Sequence, residues 1–240
     1  MGKILKNAIV TFLVLALGTS TAFLAYLHFF ASDGRKLSGE WTAEIDMTEQ
    51  AAVRAFDWLR DIEGVSVSPE EVKSCMQGLT IRVNMTMEQT ARFEGTFHCA
   101  VLPDSYDACN QEAYEALAGE FRELVGQRLR MAGYEGDTDQ DAVEALTAET
   151  FGMSTVSYLM SCGPALLPSL EELQAQYDGS GVYEAAEEML IREFETAGTV
   201  IRKEERYIRK ENGLILLEEA GASSSDLFFD QYPIVYTLQQ

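Results

Sequence analysis

Residues 79–101, LTIRVNMTMEQTARFEGTFHCAV, contain the clearest structural pattern in this 240-residue chain. Apolar residues alternate with polar ones on both sides of a short turn at Glu88-Gln89, from Leu79 to Met87 and from Phe93 to Val101. This alternation has the two-residue period of a strand that buries one face. The stretch therefore predicts an antiparallel hairpin with one apolar face and one solvated face.

Four further strands are predicted outside this hairpin. They are Gly39–Asp46, Val200–Arg209, Leu214–Glu218 and Gln231–Leu238. The second and third of them flank Asn212-Gly213, a dipeptide typical of two-residue hairpin turns. Pro233 favours an edge position for the last strand, because proline cannot donate a hydrogen bond to a neighbouring strand. The sequence thus predicts six strands.

Helical spacing of apolar residues dominates the rest of the chain. One helix is predicted over residues 48–62, and Ser68-Pro69-Glu70-Glu71 is a capping box that begins a second. The middle of the chain is predicted to be helical up to a last helix at Val182–Phe194, with a glycine-rich turn at residues 178–181 before it. The predicted fold class is α+β, with an antiparallel six-stranded curved sheet or partial barrel and a large helical insertion between strands 3 and 4, at about residues 105–196.

The N-terminal region predicts a membrane anchor. Residues 7–30 carry no charge, and a helix of that length crosses a hydrocarbon core of about 30 Å. The prediction is a cytosolic tail at 1–6, a transmembrane signal-anchor helix at 7–30, a juxtamembrane linker at 31–38 and an extracytoplasmic domain at 39–240. Cleavage of a signal peptide after Ala22 is the alternative.

The charge of the chain restricts its partners. It has 39 Asp and Glu residues against 18 Lys and Arg residues, a formal net charge of −21. Such a surface repels nucleic acid and anionic lipid, and it favours cationic partners, which in the predicted location would be envelope components. The sequence therefore argues against a nucleic-acid-binding protein.

The four cysteines are Cys75, Cys99, Cys109 and Cys162. An even number in an oxidising compartment permits two disulfides, and buried free thiols are the alternative. If disulfides form, Cys99 with Cys109 is the favoured pair, because a short turn separates a strand end from a helix start there.

Two motifs resemble those of a known family. Gly39-Glu40-Trp41 at the start of a strand is similar to the Gly-x-Trp opening of lipocalin-like (calycin-like) barrels, and residues 207–216 resemble the late hairpin of small lipocalin-like domains of Gram-positive bacteria. The resemblance implies a membrane-anchored domain of bacterial origin with a ligand-holding barrel. The six predicted strands and the helical insertion differ from the eight-stranded pattern of the family.

No catalytic or metal-binding motif is present in the sequence. His98 and Cys99 are neighbours on a strand and point to opposite faces, so they do not form a base and nucleophile pair. Residues 137–141 begin like a calcium loop but lack its glycine and its final glutamate. No catalytic residue, metal ligand or cofactor is predicted.

The predicted function is a non-catalytic domain that binds a small apolar ligand or an envelope component. Residues expected to line the core or a pocket are Ile81, Val83, Met85, Phe93, Phe97 and Tyr236. The alternatives are a structural or protein-interaction module with a solid core, and a hydrolase that uses two carboxylates. Pocket volume discriminates the first two hypotheses.

Overall fold

The structure is a computed structural model that describes residues 37–61, 67–91, 93–186, 188–196, 199–219 and 232–239. Its centre is a closed barrel of eight antiparallel strands, each paired with its neighbours in chain order. The strands are β1 (Gly39–Asp46), β2 (Thr80–Gln89), β3 (Glu94–Val101), β4 (Gly179–Ala186), β5 (Met189–Thr196), β6 (Thr199–Lys210), β7 (Gly213–Glu219) and β8 (Ile234–Leu238).

Closure of the barrel corrects the predicted six-stranded sheet or partial barrel. Strand β1 pairs with β2 through Trp41 and Met85, and with β8 through Trp41 and Leu238. Strand β8 also pairs with β7, so it has a neighbour on both sides and is not the predicted edge strand. Pro233 lies just before β8, where it interrupts no strand pairing.

Strands β4 and β5 are the two that the sequence analysis missed. The predicted turn at 178–181 and helix at Val182–Phe194 are wrong, since these residues form a hairpin of two eight-residue strands. Gly179 faces the barrel interior, and a Cβ atom there would lie 3.1 Å from the Phe194 ring. The glycines that suggest a turn are therefore needed for a close approach inside the barrel.

Six helices lie among the described residues, all of them in the connections from β1 to β2 and from β3 to β4. They are α1 (Thr48–Leu59), α2 (Pro69–Cys75), α3 (Pro103–Met131), α4 (Gln140–Phe151), α5 (Thr155–Cys162) and α6 (Leu170–Tyr177). Both connections leave the same end of the barrel, which we call the helical end. The insertion between strands three and four is present, but its helices end at Tyr177 rather than near residue 196.

The capping box predicted at Ser68 is confirmed. The Glu71 amide donates to Ser68 Oγ at 3.2 Å, and the Ser68 amide donates to the Glu71 carboxylate at 3.1 Å. Two donors that would be unpaired at the start of α2 are thereby satisfied.

The predicted membrane architecture is not supported by the structure. Within the described part of the chain, no helix combines the length and the apolar character that crossing a bilayer requires. The predicted anchor at residues 7–30 lies outside the described residues, as do the tail at 1–6 and most of the linker at 31–38.

Candidate functional site

The barrel interior is the first place where a binding site was predicted. Of the residues expected to line the core or a pocket, Ile81, Val83, Met85, Phe97 and Tyr236 face inward and are at most 4% exposed. Phe93 is the exception, because it lies in the turn between β2 and β3 and is 46% exposed. The interior is further filled by Trp41, Met87, Tyr183, Tyr207 and Leu216.

One small cavity adjoins this packing among the described residues. A cavity of about 20 Å³ lies near the helical end, between Phe97, Arg192, Glu205 and Tyr236. That volume accommodates about one water molecule. It is far below the hundreds of cubic ångströms that pockets for small organic ligands occupy.

The wall of this cavity contains an ion pair between strands β5 and β6. Arg192 Nε and Nη2 each donate to a Glu205 carboxylate oxygen at 2.7 Å, and the Tyr232 hydroxyl donates to the same carboxylate at 2.8 Å. The Glu205 residue is fully buried, and Arg192 is 8% exposed. Burial alone would lower the pKa of Arg192, but the charge and hydrogen bonds of Glu205 outweigh it and raise that pKa. The pair is therefore charged and mutually satisfied, and it does not present a free cation to a ligand.

Next to the pair, Tyr236 and Cys99 face each other with their oxygen and sulfur atoms 3.9 Å apart. Burial raises the pKa of Tyr236 well above its ordinary value, and it also raises the pKa of Cys99. Both groups are therefore protonated near neutral pH, which is the opposite of an activated nucleophile.

The cysteines are free thiols in the structure. Cys99 lies inside the barrel and Cys109 lies on α3, each 1% exposed, so the predicted pairing of these two residues is not present. The strand end and helix start that suggested the pairing are adjacent in sequence, but Cys99 faces the barrel interior beside Tyr236.

One polar pair on the outer wall of the barrel was not expected from the sequence. His98 Nδ1 and Ser180 Oγ are 2.6 Å apart, because strands β3 and β4 pair with these residues opposite each other. Ser180 was predicted to lie in a turn, so its contact with His98 was not predicted. Among the described residues no carboxylate pairs with His98, and the dyad is exposed to water.

A shallow groove of about 280 Å³ also lies on the outer wall. It runs over β3, β4 and β5 and is lined by carboxylates and an exposed valine, including Glu94, Val182, Glu184 and Glu193. Glu193 is 3.2 Å from Arg202 Nη1 in an ion pair, so part of this charge is already compensated.

A row of aromatic side chains lies on the helices. Four rings from four different helices form a continuous row, which we call the aromatic surface: Trp58, Phe121, Tyr158 and Phe151. Successive ring centroids are 5.7, 6.4 and 4.5 Å apart in that order. Phe151 is 50% exposed, and Met153 beyond it is 40% exposed.

Polar contacts beside the aromatic surface fix the helices relative to one another. Arg122 on α3 donates to Glu144 on α4 at 2.8 Å, and Glu144 also accepts the Thr155 amide at the start of α5 at 3.1 Å. The pKa of Glu144 is lowered, because these hydrogen bonds and the Arg122 charge together outweigh the effect of burial. The Glu144 carboxylate thus links α3, α4 and α5, which carry three of the four rings.

Helical periodicity alone does not distinguish Phe121 and Phe151 from core residues. The available signal for exposure was Gly152, which ends α4 in a left-handed conformation with φ 71° and leaves Phe151 at the helix terminus.

Comparison with known proteins gives no matching family model, no matching curated protein and no matching solved structure.

Proposed function

We propose that this chain is a non-catalytic protein-interaction module in which the barrel is a solid scaffold and the helices present the contact surface. The observation that carries this proposal is the filled barrel interior, whose cavity of about 20 Å³ is lined in part by a satisfied ion pair. A barrel that carries an apolar ligand requires an empty chamber, and this interior is occupied by aromatic and aliphatic side chains instead.

The buried groups that could act in catalysis favour the same proposal. The thiol of Cys99 and the hydroxyl of Tyr236 have raised pKa values, and Glu205 is occupied by three hydrogen bonds from Arg192 and Tyr232. His98 and Ser180 lie on an exposed wall, where water is not excluded from a reacting group.

A small ligand inside the barrel is the second candidate function. It is favoured by the similarity of Gly39-Glu40-Trp41 to the opening of calycin-like barrels. The two candidates differ in whether the wild-type interior accepts an apolar molecule.

Calorimetric titration of the full chain with indole, a probe of one aromatic ring system, tests this difference. We expect no binding to the wild-type protein, and binding to Phe97→Ala, because Phe97 lines the existing cavity and its removal enlarges it. Phe93→Ala is the matched control, since it removes a phenylalanine that is 46% exposed and opens no interior space.

Stoichiometric indole binding to the wild-type chain would overturn the proposal of a solid scaffold. So would a native mass spectrum in which the purified chain carries an additional small molecule that is lost on denaturation. Either result would favour the small-ligand function.

A further inference from the structure

We propose that the aromatic surface is the docking site of a basic amphipathic helix on a partner protein. This inference rests on the proposed function and names the partner chemistry of its contact surface. The four rings form an apolar row across α1, α3, α5 and α4. A partner helix with apolar residues on one face requires such an apolar surface to bind.

Trp58, Phe121 and Tyr158 are half-buried and pack against the core, whereas Phe151 at the end of the row is exposed. Buried neighbours such as Leu117, Leu124 and Leu159 are at most 5% exposed and pack the helices against one another. Phe151 contacts Tyr158 but is still 50% exposed, and Met153 is 40% exposed. Large aromatic and methionine side chains in contact with water are the residues that protein interfaces prefer.

The charge around the aromatic surface selects a basic partner. Helix α4, which carries Phe151, has no basic residue, and beside Glu144, which already pairs with Arg122, it has the carboxylates Asp141 and Glu149. Helix α5 has no charge. Near Trp58 two carboxylates, Asp57 and Asp61, outnumber Arg60, which forms ion pairs with both of them. Arg122 is the basic side chain at the junction of these helices, and Glu144 neutralises it.

The same charges disfavour the other occupants of this surface. A second copy of the chain would bring together two molecules that each have a formal net charge of −21, so self-association is opposed by repulsion. An anionic membrane is opposed for the same reason. Lysine and arginine side chains beside apolar ones are attracted, and they complement the carboxylates of α4.

The surface is also arranged before a partner arrives. The link from Arg122 through Glu144 to the start of α5 fixes three of the four helices that carry the rings. A prearranged site loses little conformational entropy on binding, so a short helical segment is a sufficient partner.

Tryptophan fluorescence of the full chain provides a local signal for the test. The chain has two tryptophans, of which Trp41 is 1% exposed inside the barrel and Trp58 belongs to the aromatic surface. The probe is a synthetic helix of leucine and lysine, about 14 residues or four turns long, with its leucines on one face. The comparison probes are a scrambled peptide of the same composition, oligolysine of the same charge, and vesicles of anionic phospholipid.

We expect saturable binding of the amphipathic peptide with a blue shift of Trp58 emission, and no such shift in Trp58→Phe. Phe151→Ser should weaken binding about tenfold or more, because truncation of an aromatic contact residue in an interface has a cost of this size. Val200→Ser is the matched control, because it removes an apolar side chain that is 70% exposed on the barrel wall, and it should bind like the wild type.

Equal binding of wild type and Phe151→Ser, or equal binding of the amphipathic and scrambled peptides, would overturn the docking site. A Trp58 shift with anionic vesicles and none with the peptide would overturn it too, in favour of a membrane surface. Met153→Ser provides a second test, because the Met153 side chain is 40% exposed. If one of the two variants fails to fold, the other still tests the docking site. If the docking site is wrong, the wild-type chain should still fail to bind indole. If the solid scaffold is wrong, the wild-type chain should bind indole.

Discussion

The guanidinium carbon of Arg209 lies 4.6 Å from the centroid of the Trp41 ring, so a cation on β6 covers the aromatic residue of β1. Trp41 is 1% exposed, and its indole nitrogen donates to the Leu37 carbonyl at 2.8 Å. Arg209 donates to the Gly213 carbonyl at 3.3 Å, and among the described residues its Nε has no hydrogen-bond partner. Burial lowers the pKa of Arg209, so the Trp41 ring is the main compensation for its partly desolvated charge.

Replacement of Arg209 by methionine should therefore lower stability. Methionine retains most of the apolar stem but removes the attraction between cation and ring, and we expect the free energy of unfolding to fall by about 1–2 kcal/mol. Urea unfolding followed by Trp41 fluorescence in a Trp58→Phe background measures this change. Arg128→Met, which replaces an exposed arginine on α3, should leave stability within about 0.5 kcal/mol of the wild type. Equal effects of the two substitutions would mean that the Arg209 and Trp41 contact contributes nothing.

The buried pair of Arg192 and Glu205 predicts a second, larger effect. Glu205→Gln leaves the Arg192 charge inside the barrel without its carboxylate, and we expect a loss of about 3–5 kcal/mol in the free energy of unfolding. Tyr232→Phe removes one hydrogen bond to the carboxylate, and it should cost about 1.5–3 kcal/mol. Both values come from urea denaturation curves at neutral pH.

The double variant Arg192→Met, Glu205→Leu separates the net contribution of the ion pair from the cost of leaving one of its charges unpaired. Because it removes both charges and fills the space with apolar atoms, it should recover most of the stability that Glu205→Gln loses. A double variant as unstable as the single one would show that the pair contributes through its geometry within the barrel rather than through the cost of an unpaired charge.

The β2–β3 and β6–β7 hairpins were predictable because their signals are local. Alternation in residues 79–101 has the strand period, and Asn212-Gly213 supplies the turn between β6 and β7. In β4 and β5 the local signals conflict with the fold. Gly179 and Gly181 resemble a turn, and the acidic and alanine-rich residues after them favour a helix on propensity. Pairing with β3 and β6 overrides that preference, and a single sequence does not contain this information.

The candidate sites were less predictable than the strands. Glu205 lies in the run Arg202-Lys203-Glu204-Glu205-Arg206, which is typical of a solvated strand, yet Glu205 is fully buried and Glu204 beside it is only half-buried. The burial of Glu205 depends on which face of β6 turns inward. Its ion-pair partner Arg192 comes from β5, a segment predicted to be helical, where it lies two residues from the Leu190 that pairs with Glu205. The aromatic surface similarly requires four helices to meet, a long-range arrangement that helical periodicity does not specify.

Protonated groups in the interior predict loss of stability at alkaline pH. Burial raises the pKa of Cys109 to about 12 and raises that of Tyr236 well above its ordinary value, so the folded state retains protons that the unfolded state releases. The stabilisation is complete below the ordinary pKa of these groups, 9.0 for Cys and 10.0 for Tyr, and is lost as the pH rises from there toward the folded values. Each such group should contribute a slope of up to about 1.4 kcal/mol per pH unit.

Urea unfolding between about pH 8 and pH 11 measures this slope. Cys109→Ala and Tyr236→Phe should each reduce it by up to one proton, while Cys162→Ala, which removes an exposed thiol, should not. An unchanged slope in both interior variants would contradict the assigned burial of these groups.

The reactivity of the four thiols gives the most direct test of the barrel and its helices. Disulfide exchange with an aromatic disulfide reagent requires an accessible thiolate. Cys162 is exposed on α5 and should react first, and Cys75 should react slowly because burial raises its pKa to about 11. Cys99 and Cys109 are 1% exposed and should react only when the chain unfolds.

Without reductant we expect one rapidly reacting thiol in the native chain and four in denaturant, and Cys162→Ser should remove the rapid phase. Two reactive thiols in denaturant would instead reveal one disulfide. If Cys109 then became available for labelling in Cys99→Ser, that disulfide would be the Cys99–Cys109 pair favoured by the sequence, and these two residues would not be free thiols.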